Sequence, residues 1–177
     1  MAEASGGLHP GIRVERVTEA TWRAYRDVRL AALIDSPRAF WATYAESAAR
    51  TDDEWRERVG ATGPTWLAWD LDRPVGTVGL WHAADLTDDE DHLVGMWVTG
   101  PARGSGVATA LVETALDHAR AEGRTRLVLD VARENVRARR FWLRRGFVPT
   151  GETGTMPWDP TCVEEQMALD LGPAAER

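Results

Sequence analysis

The chain has 177 residues, 44% hydrophobic and 28% charged, with a formal net charge of −7. This is the composition of an ordinary globular domain that buries a core; the acidic balance excludes a broad nucleic-acid surface and agrees with a cationic substrate. All 21 basic side chains other than histidine are Arg, which excludes any Lys-dependent phosphate loop or Schiff base, and a single cysteine, Cys162, excludes an internal disulfide.

Residues 1–11 carry Gly6, Gly7, Pro10 and Gly11 and read as a flexible leader without the basic and apolar regions of a signal peptide. With no apolar run near the roughly 20 residues of a membrane helix, a cytoplasmic protein with no membrane partner is expected. Residues 12–172 read as one α/β domain. Ile12 to Val17 alternates as a strand, and Trp22, Tyr25, Val28, Leu30, Ala32 and Leu33 mark a helix that Ser36-Pro37 stops. A short helical stretch is expected near Phe40 to Ala48, and Thr51-Asp52-Asp53-Glu54 resembles a capping box opening a helix to Val59.

Thr65 to Leu71 and Val75 to Ala83 form a predicted hairpin around Asp72-Arg73-Pro74. Asp85 to Asp91 is an acidic loop, readable as a solubilising turn or as a lure for a cationic amine. The strand His92 to Val98 follows, with Gly95 suited to a bulge, to a close backbone approach or merely to relief of crowding. Val107, Leu111, Val112, Ala115, Leu116 and Ala119 then define a helix that Gly123 ends. Thr125 to Val131 is a strand, Asn135 to Arg145 a helix, and Phe147 to Gly151 a strand. A loop with Pro157 and Pro160 precedes a last strand, Val163 to Leu171.

The junction between His92–Val98 and the following helix carries the chemistry. Gly104, Ser105, Gly106 and Ala108 let a bulky anion approach unpaired backbone N–H groups at a helix N-terminus, and Arg103 offers a fork of donors. A P-loop is excluded by the missing Lys. A dinucleotide fold is the second reading, with Gly104-x-Gly106 and with Asp130 as the ribose acid; Thr109 at the third glycine position and the slack loop weigh against it.

The third reading rests on two blocks. Arg103-Gly104-Ser105-Gly106-Val107-Ala108 resembles the acyl-CoA loop [R/Q]-x-x-G-x-[G/A] of the GNAT acetyltransferase superfamily. Asn135 to Phe147 resembles the same family's N-x-x-A-x-x-F-Y-x-x-x-G-F segment, at the family's spacing. The resemblance implies a GNAT fold, a mixed and mostly antiparallel central sheet of about six or seven strands flanked by helices. It implies acetyl-CoA as cosubstrate, with Met96, Trp97 and Val98 pairing with the pantetheine arm. Residues Arg103, Gly104, Ser105, Gly106, Val107 and Ala108 would hold the diphosphate, and Asn135, Ala138, Phe141 and Trp142 would line the cofactor. Six Arg between 133 and 145 leave open which of them meets CoA.

The implied activity is acetyl transfer to a primary amine of a small molecule: an amino sugar or aminoglycoside-like antibiotic, a polyamine or an amino-acid derivative. Glu90, His92 and His82 are the candidate bases, and Trp22, Trp41, Tyr44 and Trp81 candidate walls of the acceptor pocket. Trp142 stands where the family usually has Tyr, so the proton for the leaving thiolate falls to solvent, backbone, Tyr25, Tyr44 or Cys162. A CoA-binding sensor without activity is the rival that Trp142 raises. The resemblance leaves a homodimer open.

Overall fold

A computed structural model describes residues 11–61, 63–82, 87 and 89–173. Residues 1–10 of the expected leader, and Asp85 and Asp88 of the acidic loop, lie outside them. Seven strands, β1 (Ile12–Arg16), β2 (Thr65–Asp70), β3 (Arg73–Trp81), β4 (Glu90–Val98), β5 (Arg126–Ala132), β6 (Val148–Met156) and β7 (Asp159–Asp170), form one sheet in the order β1-β2-β3-β4-β5-β7-β6. β4 and β5 pair in parallel and every other neighbouring pair is antiparallel. Five α-helices accompany it: α1 (Trp22–Asp35), α2 (Tyr44–Ala48), α3 (Asp52–Ala61), α4 (Val107–Ala121) and α5 (Val136–Arg144), with 3-10 turns at Pro37–Ala39 and Gly100–Ala102. No helix among the described residues is long and apolar enough to cross a membrane.

Strand alternation divides the core between the two faces of the sheet. Trp66 and Ala68 of β2 join Leu93, Leu127 and Leu129 beneath α4, whose Val107, Leu111, Val112, Ala115 and Ala119 recur at helical spacing and are buried. Leu67, on the opposite face of β2, packs with Val28, Ala32 and Leu33 of α1 and with Trp97 of β4. α1 therefore covers one face, while α4 and α5 cover the other.

Two helices open on reciprocal capping boxes. At α3 the Thr51 amide donates to Glu54 Oε2 (2.6 Å) while the Glu54 amide donates to Thr51 Oγ1 (3.3 Å), as the sequence predicts. α2 carries a second box on Thr43 and Glu46 that the reading of its sequence passed over. The expected loop around Pro157 and Pro160 is instead a tight hairpin: Met156 pairs with Asp159 across Pro157-Trp158, which lengthens both last strands. The prolines sit in and beside the turn, where a missing N–H breaks no central ladder.

Candidate active site

β4 and β5 pair at Glu90↔Arg126, Asp91↔Leu127 and His92↔Val128. Beyond His92 they part company, and a cleft of about 1150 Å³ opens between them. A bulge accompanies the parting, since Thr77 pairs with Trp97 but Gly79 with Val94, so two steps along β3 match three along β4. Gly95 absorbs the extra residue at φ +64°, a conformation that L side chains adopt only under strain.

The cleft ends at the start of α4. The Arg103 and Ser105 amides donate to the carbonyls of Gly100 and Ala102. Among the described residues, the amides of Gly104, Gly106, Val107, Ala108 and Thr109 have no backbone acceptor. Gly104 and Gly106 stand at φ +86° and +89°, and nothing lies within 4 Å of where a Cβ would project from either. Converging free donors, the positive end of α4 and open space above two glycines fit an oxyanion group such as a diphosphate.

Across the cleft, Asn135 Oδ1 accepts the Ala138 amide (3.1 Å) and caps α5. Ala138, Phe141 and Trp142 line the wall, with Trp142 packed edge-on against Phe141 and Phe147. Of the six arginines in this block, Arg137, Arg144 and Arg145 line the cleft. Arg145 is tied to Glu113 and Thr109, whereas Arg137 and Arg144 have no ion pair among the described residues.

The register assigns a different chemistry to the α1 face. Trp81 opposes His92, His92 opposes Val128, and Ala132 opposes Glu164, so Trp81, His92, Asp130 and Glu164 all project toward α1. His92 Nε2 lies 2.8 Å from Asp130 Oδ2, and the His92 ring stacks on Trp81. Glu164 is 4% exposed and accepts a 2.7 Å bond from Trp41 Nε1. Burial raises its pKa above the usual carboxylate range and the Asp130 charge adds to the rise; the Trp41 hydrogen bond and His92 oppose it. A buried carboxyl with raised proton affinity beside a His–Asp pair is a candidate proton acceptor.

Several sequence-predicted residues fall elsewhere. His82 is exposed, its Nδ1 2.9 Å from the Glu90 carbonyl oxygen and 3.2 Å from Asp91, and it does not line the cleft. Glu90 is bound to Arg126 (2.6 Å) at the closed end of the strand pair, which holds its pKa down despite burial and leaves it no open proton site. Trp22 is buried beneath the guanidinium groups of Arg23, Arg26 and Arg56, a cation–π stack outside the cleft. Ser105 Oγ donates to the Ala102 carbonyl, and Val107 is wholly buried under the sheet, so only their backbone is at the loop. Tyr25, Tyr44 and Cys162 do not line the cleft either; Cys162 is buried, which pushes its thiol pKa up.

Arg103 lines the cleft, and two nitrogens of its fork are already engaged within the protein. Nε donates to the Val98 carbonyl (2.9 Å) and Nη2 pairs with the Asp35 carboxylate. Asp35 also accepts the Trp97 indole N–H (3.0 Å), the largest cause of its lowered pKa. Arg103 thus ties the loop to the end of α1, a positioning role that the loop sequence alone does not reveal. Glu164 and Arg29, which also lines the cleft, are absent from the sequence-derived candidates. Both left a readable sign: Glu164 shares the parity of buried Cys162 and Ala168 in β7, and Arg29 interrupts the apolar stripe of α1.

Residues 16–147 match the model of the Acetyltransferase (GNAT) family. N-acetyltransferase 8B of Homo sapiens is 33% identical over 123 residues, covering 67% of this chain and 54% of that protein. Mycothiol acetyltransferase of Beutenbergia cavernae is 36% identical over 117 residues, 63% of this chain and 38% of that one. The chain therefore spans about half the length, or less, of these curated relatives. A Salmonella typhimurium protein solved with its cofactor acetyl-CoA superimposes with a TM-score of 0.73 at 17% identity, covering 94% of this chain and 97% of that one. At that identity the likeness is one of fold.

Proposed function

This chain belongs to the GNAT acetyltransferase family, and from that premise we propose that it is an acetyl-CoA-dependent N-acetyltransferase acting on a primary amine of a small molecule. The observation that carries the reading is the parting of β4 and β5 after His92 into a cleft that runs to unpartnered amides at the start of α4. Those amides and the unpaired Arg137 and Arg144 suit the phosphates, and the exposed edge of β4 from Met96 to Val98 suits an extended amide-bearing arm.

Acetyl-CoA supplies a thioester: the amine nitrogen bonds to its carbonyl carbon, the C–S bond breaks, and an ammonium substrate gives amide, CoA thiol and one free proton. The residues of this chain manage position and protons. Entry of the donor from the α4 and α5 side leaves the α1 face to the amine. Glu164 takes the ammonium proton, and the His92–Asp130 pair offers a second acceptor beside it. Phe141 and Trp142 exclude water from the arm. Neither of the two tyrosines, Tyr25 and Tyr44, lines the cleft, so a departing thiolate would take its proton from solvent; at a pKa near 8.5 for an ordinary thiol this is no severe barrier.

Titration calorimetry with acetyl-CoA and with NAD, followed by free-thiol release with a panel of amines, tests the reading. Expected are binding of acetyl-CoA but not NAD, and thiol release only with an amine. Binding of NAD in place of acetyl-CoA refutes it, and acetyl-CoA binding without turnover favours the sensor reading.

A further inference from the structure

Among the described residues, one buried side-chain nitrogen or oxygen lacks a hydrogen-bond partner: Nη1 of Arg29. Arg29 projects from α1 into the wall of the cleft, its guanidinium 4.4 Å above the Phe40 ring. Nη1 lies 3.9 Å from where a Cβ of Gly95 would stand, at the bulge where β4 leaves β5. It has no ion pair with any described residue. Arg58 also lines the cleft and has no ion pair among the described residues, and Arg50, already facing Glu46 and Glu54, adds further positive charge. Burial first lowers the Arg29 pKa, Tyr25 opposes, and Arg58 and Arg50 push it further down. A buried cation without a counter-ion is costly, so such a group persists where an anion is supplied from outside.

Opposite these cations stand anions. Phe40 carries Arg29 on its ring, while the next residue, Trp41, holds Glu164 through its indole N–H. The segment is fixed in turn by Trp158 Nε1, which donates to the Phe40 carbonyl (2.9 Å). Asp130 adds to the negative side. The acceptor half of the cleft is thus polarised, cationic on the helix wall and anionic on the sheet wall. Trp41 and Trp81, both exposed in part at the cleft, offer an apolar rim.

Resting on the acetyltransferase reading, we infer that the acceptor is an α-amino acid with an apolar side chain: its carboxylate pairs with Arg29, its ammonium faces Glu164, and its side chain lies against Trp41 and Trp81. Arg29 and Glu164 line the same cleft, and an α-carboxylate held at Arg29 beside Gly95 keeps its amine near the bulge where β4 leaves β5. After one proton passes to Glu164, the nitrogen lone pair bonds to the thioester carbonyl carbon and the C–S bond breaks; the nitrogen gives its second proton to water and the departing thiolate takes one back from water, leaving the amide, CoA thiol and the proton held on Glu164. Polyamines and aminoglycosides, cations without a carboxylate, leave Arg29 unpaired and meet like charge.

The test compares L-phenylalanine and L-leucine with phenethylamine and isopentylamine, their counterparts lacking the carboxylate, in acetyl-CoA-dependent thiol release. A site built around an ionic partner rejects the analogue lacking it, so kcat/KM is expected to favour each amino acid by about 10²-fold or more. In Arg29→Gln that ratio collapses toward one, and Arg29→Lys restores part of it; a loss of folding alone lowers both rates and leaves the ratio intact. Equal or better turnover of the bare amines, a ratio retained in Arg29→Gln, or acetyl-CoA binding with no α-amino acid turned over each overturns the inference while the cofactor reading stands. Failure to bind acetyl-CoA at all refutes that reading and this inference with it.

Discussion

Gly106→Ala separates the anion cradle from everything else in the fold. Gly106 caps α4 at φ +89°, ψ −8°, with no atom within 4 Å of the position a Cβ would take. The substitution therefore meets no steric clash and costs the left-handed strain of an L residue, about 1–2 kcal/mol. For a domain of this size that lowers Tm by about 2–8 °C. The new methyl occupies open space beside the free amides of Gly106 and Val107, and one lost charge-assisted hydrogen bond of about 1.5–3 kcal/mol weakens acetyl-CoA binding about 10- to 100-fold. Gly151→Ala is the matched control: φ +95°, equally open, but on β6 away from the cleft. Calorimetry and thermal melts are expected to show similar Tm losses in both variants and a raised Kd in Gly106→Ala alone. Wild-type affinity in Gly106→Ala refutes the cradle; an equal Kd rise in Gly151→Ala shows that strain, not the methyl, does the damage.

Glu164→Gln is expected to lower kcat about 10²- to 10⁴-fold with the Kd for acetyl-CoA unchanged, since it removes a proton acceptor and keeps the shape. Because the folded-state pKa of Glu164 is raised, its protonated form favours the fold: that contribution is full below the unfolded pKa and is lost as pH rises through the folded one. The glutamine variant should accordingly melt at or above the wild-type temperature at pH 7. The acid limb of the wild-type pH–rate profile should also lie above the range of an ordinary carboxylate, and an unchanged kcat would assign the proton to His92. Trp142→Tyr is expected to change kcat less than tenfold, the indole serving to pack Phe141 and Phe147. A rise toward the 10²-fold worth of a general acid would show that a missing phenol limits this chain.

Arg103 shows how a local pattern misleads about a side chain while placing the backbone correctly. The run Arg103 to Ala108 locates the turn, its two glycines and its free amides, all properties of consecutive residues. The same run makes Arg103 look like an anion ligand. Its guanidinium is instead committed to Asp35, 68 positions away, and to the Val98 carbonyl. Arg103→Ala is thus a poor probe of phosphate binding, because it also frees the end of α1.

The amino-acid sequence by itself determined the order of elements, the glycine loop before α4 and the α5 block, because helical spacing, capping residues and glycine turns act within a few residues of one another. The bulge at Gly95 was one of several uses that a glycine inside an apolar strand allows, and the β3–β4 register selected it. The acceptor half was decided only by the tertiary structure. Arg29, Trp41, His92, Asp130 and Glu164 come from α1, the segment after it, β4, β5 and β7. Whether they share a face depends on strand register, in which a slip of one residue turns a side chain to the other side of the sheet. That register rests on long-range pairing such as Ala132 with Glu164, which local periodicity does not encode. An overall acidic chain thereby came to hold, in its cleft, an arginine whose buried Nη1 has no partner among the described residues.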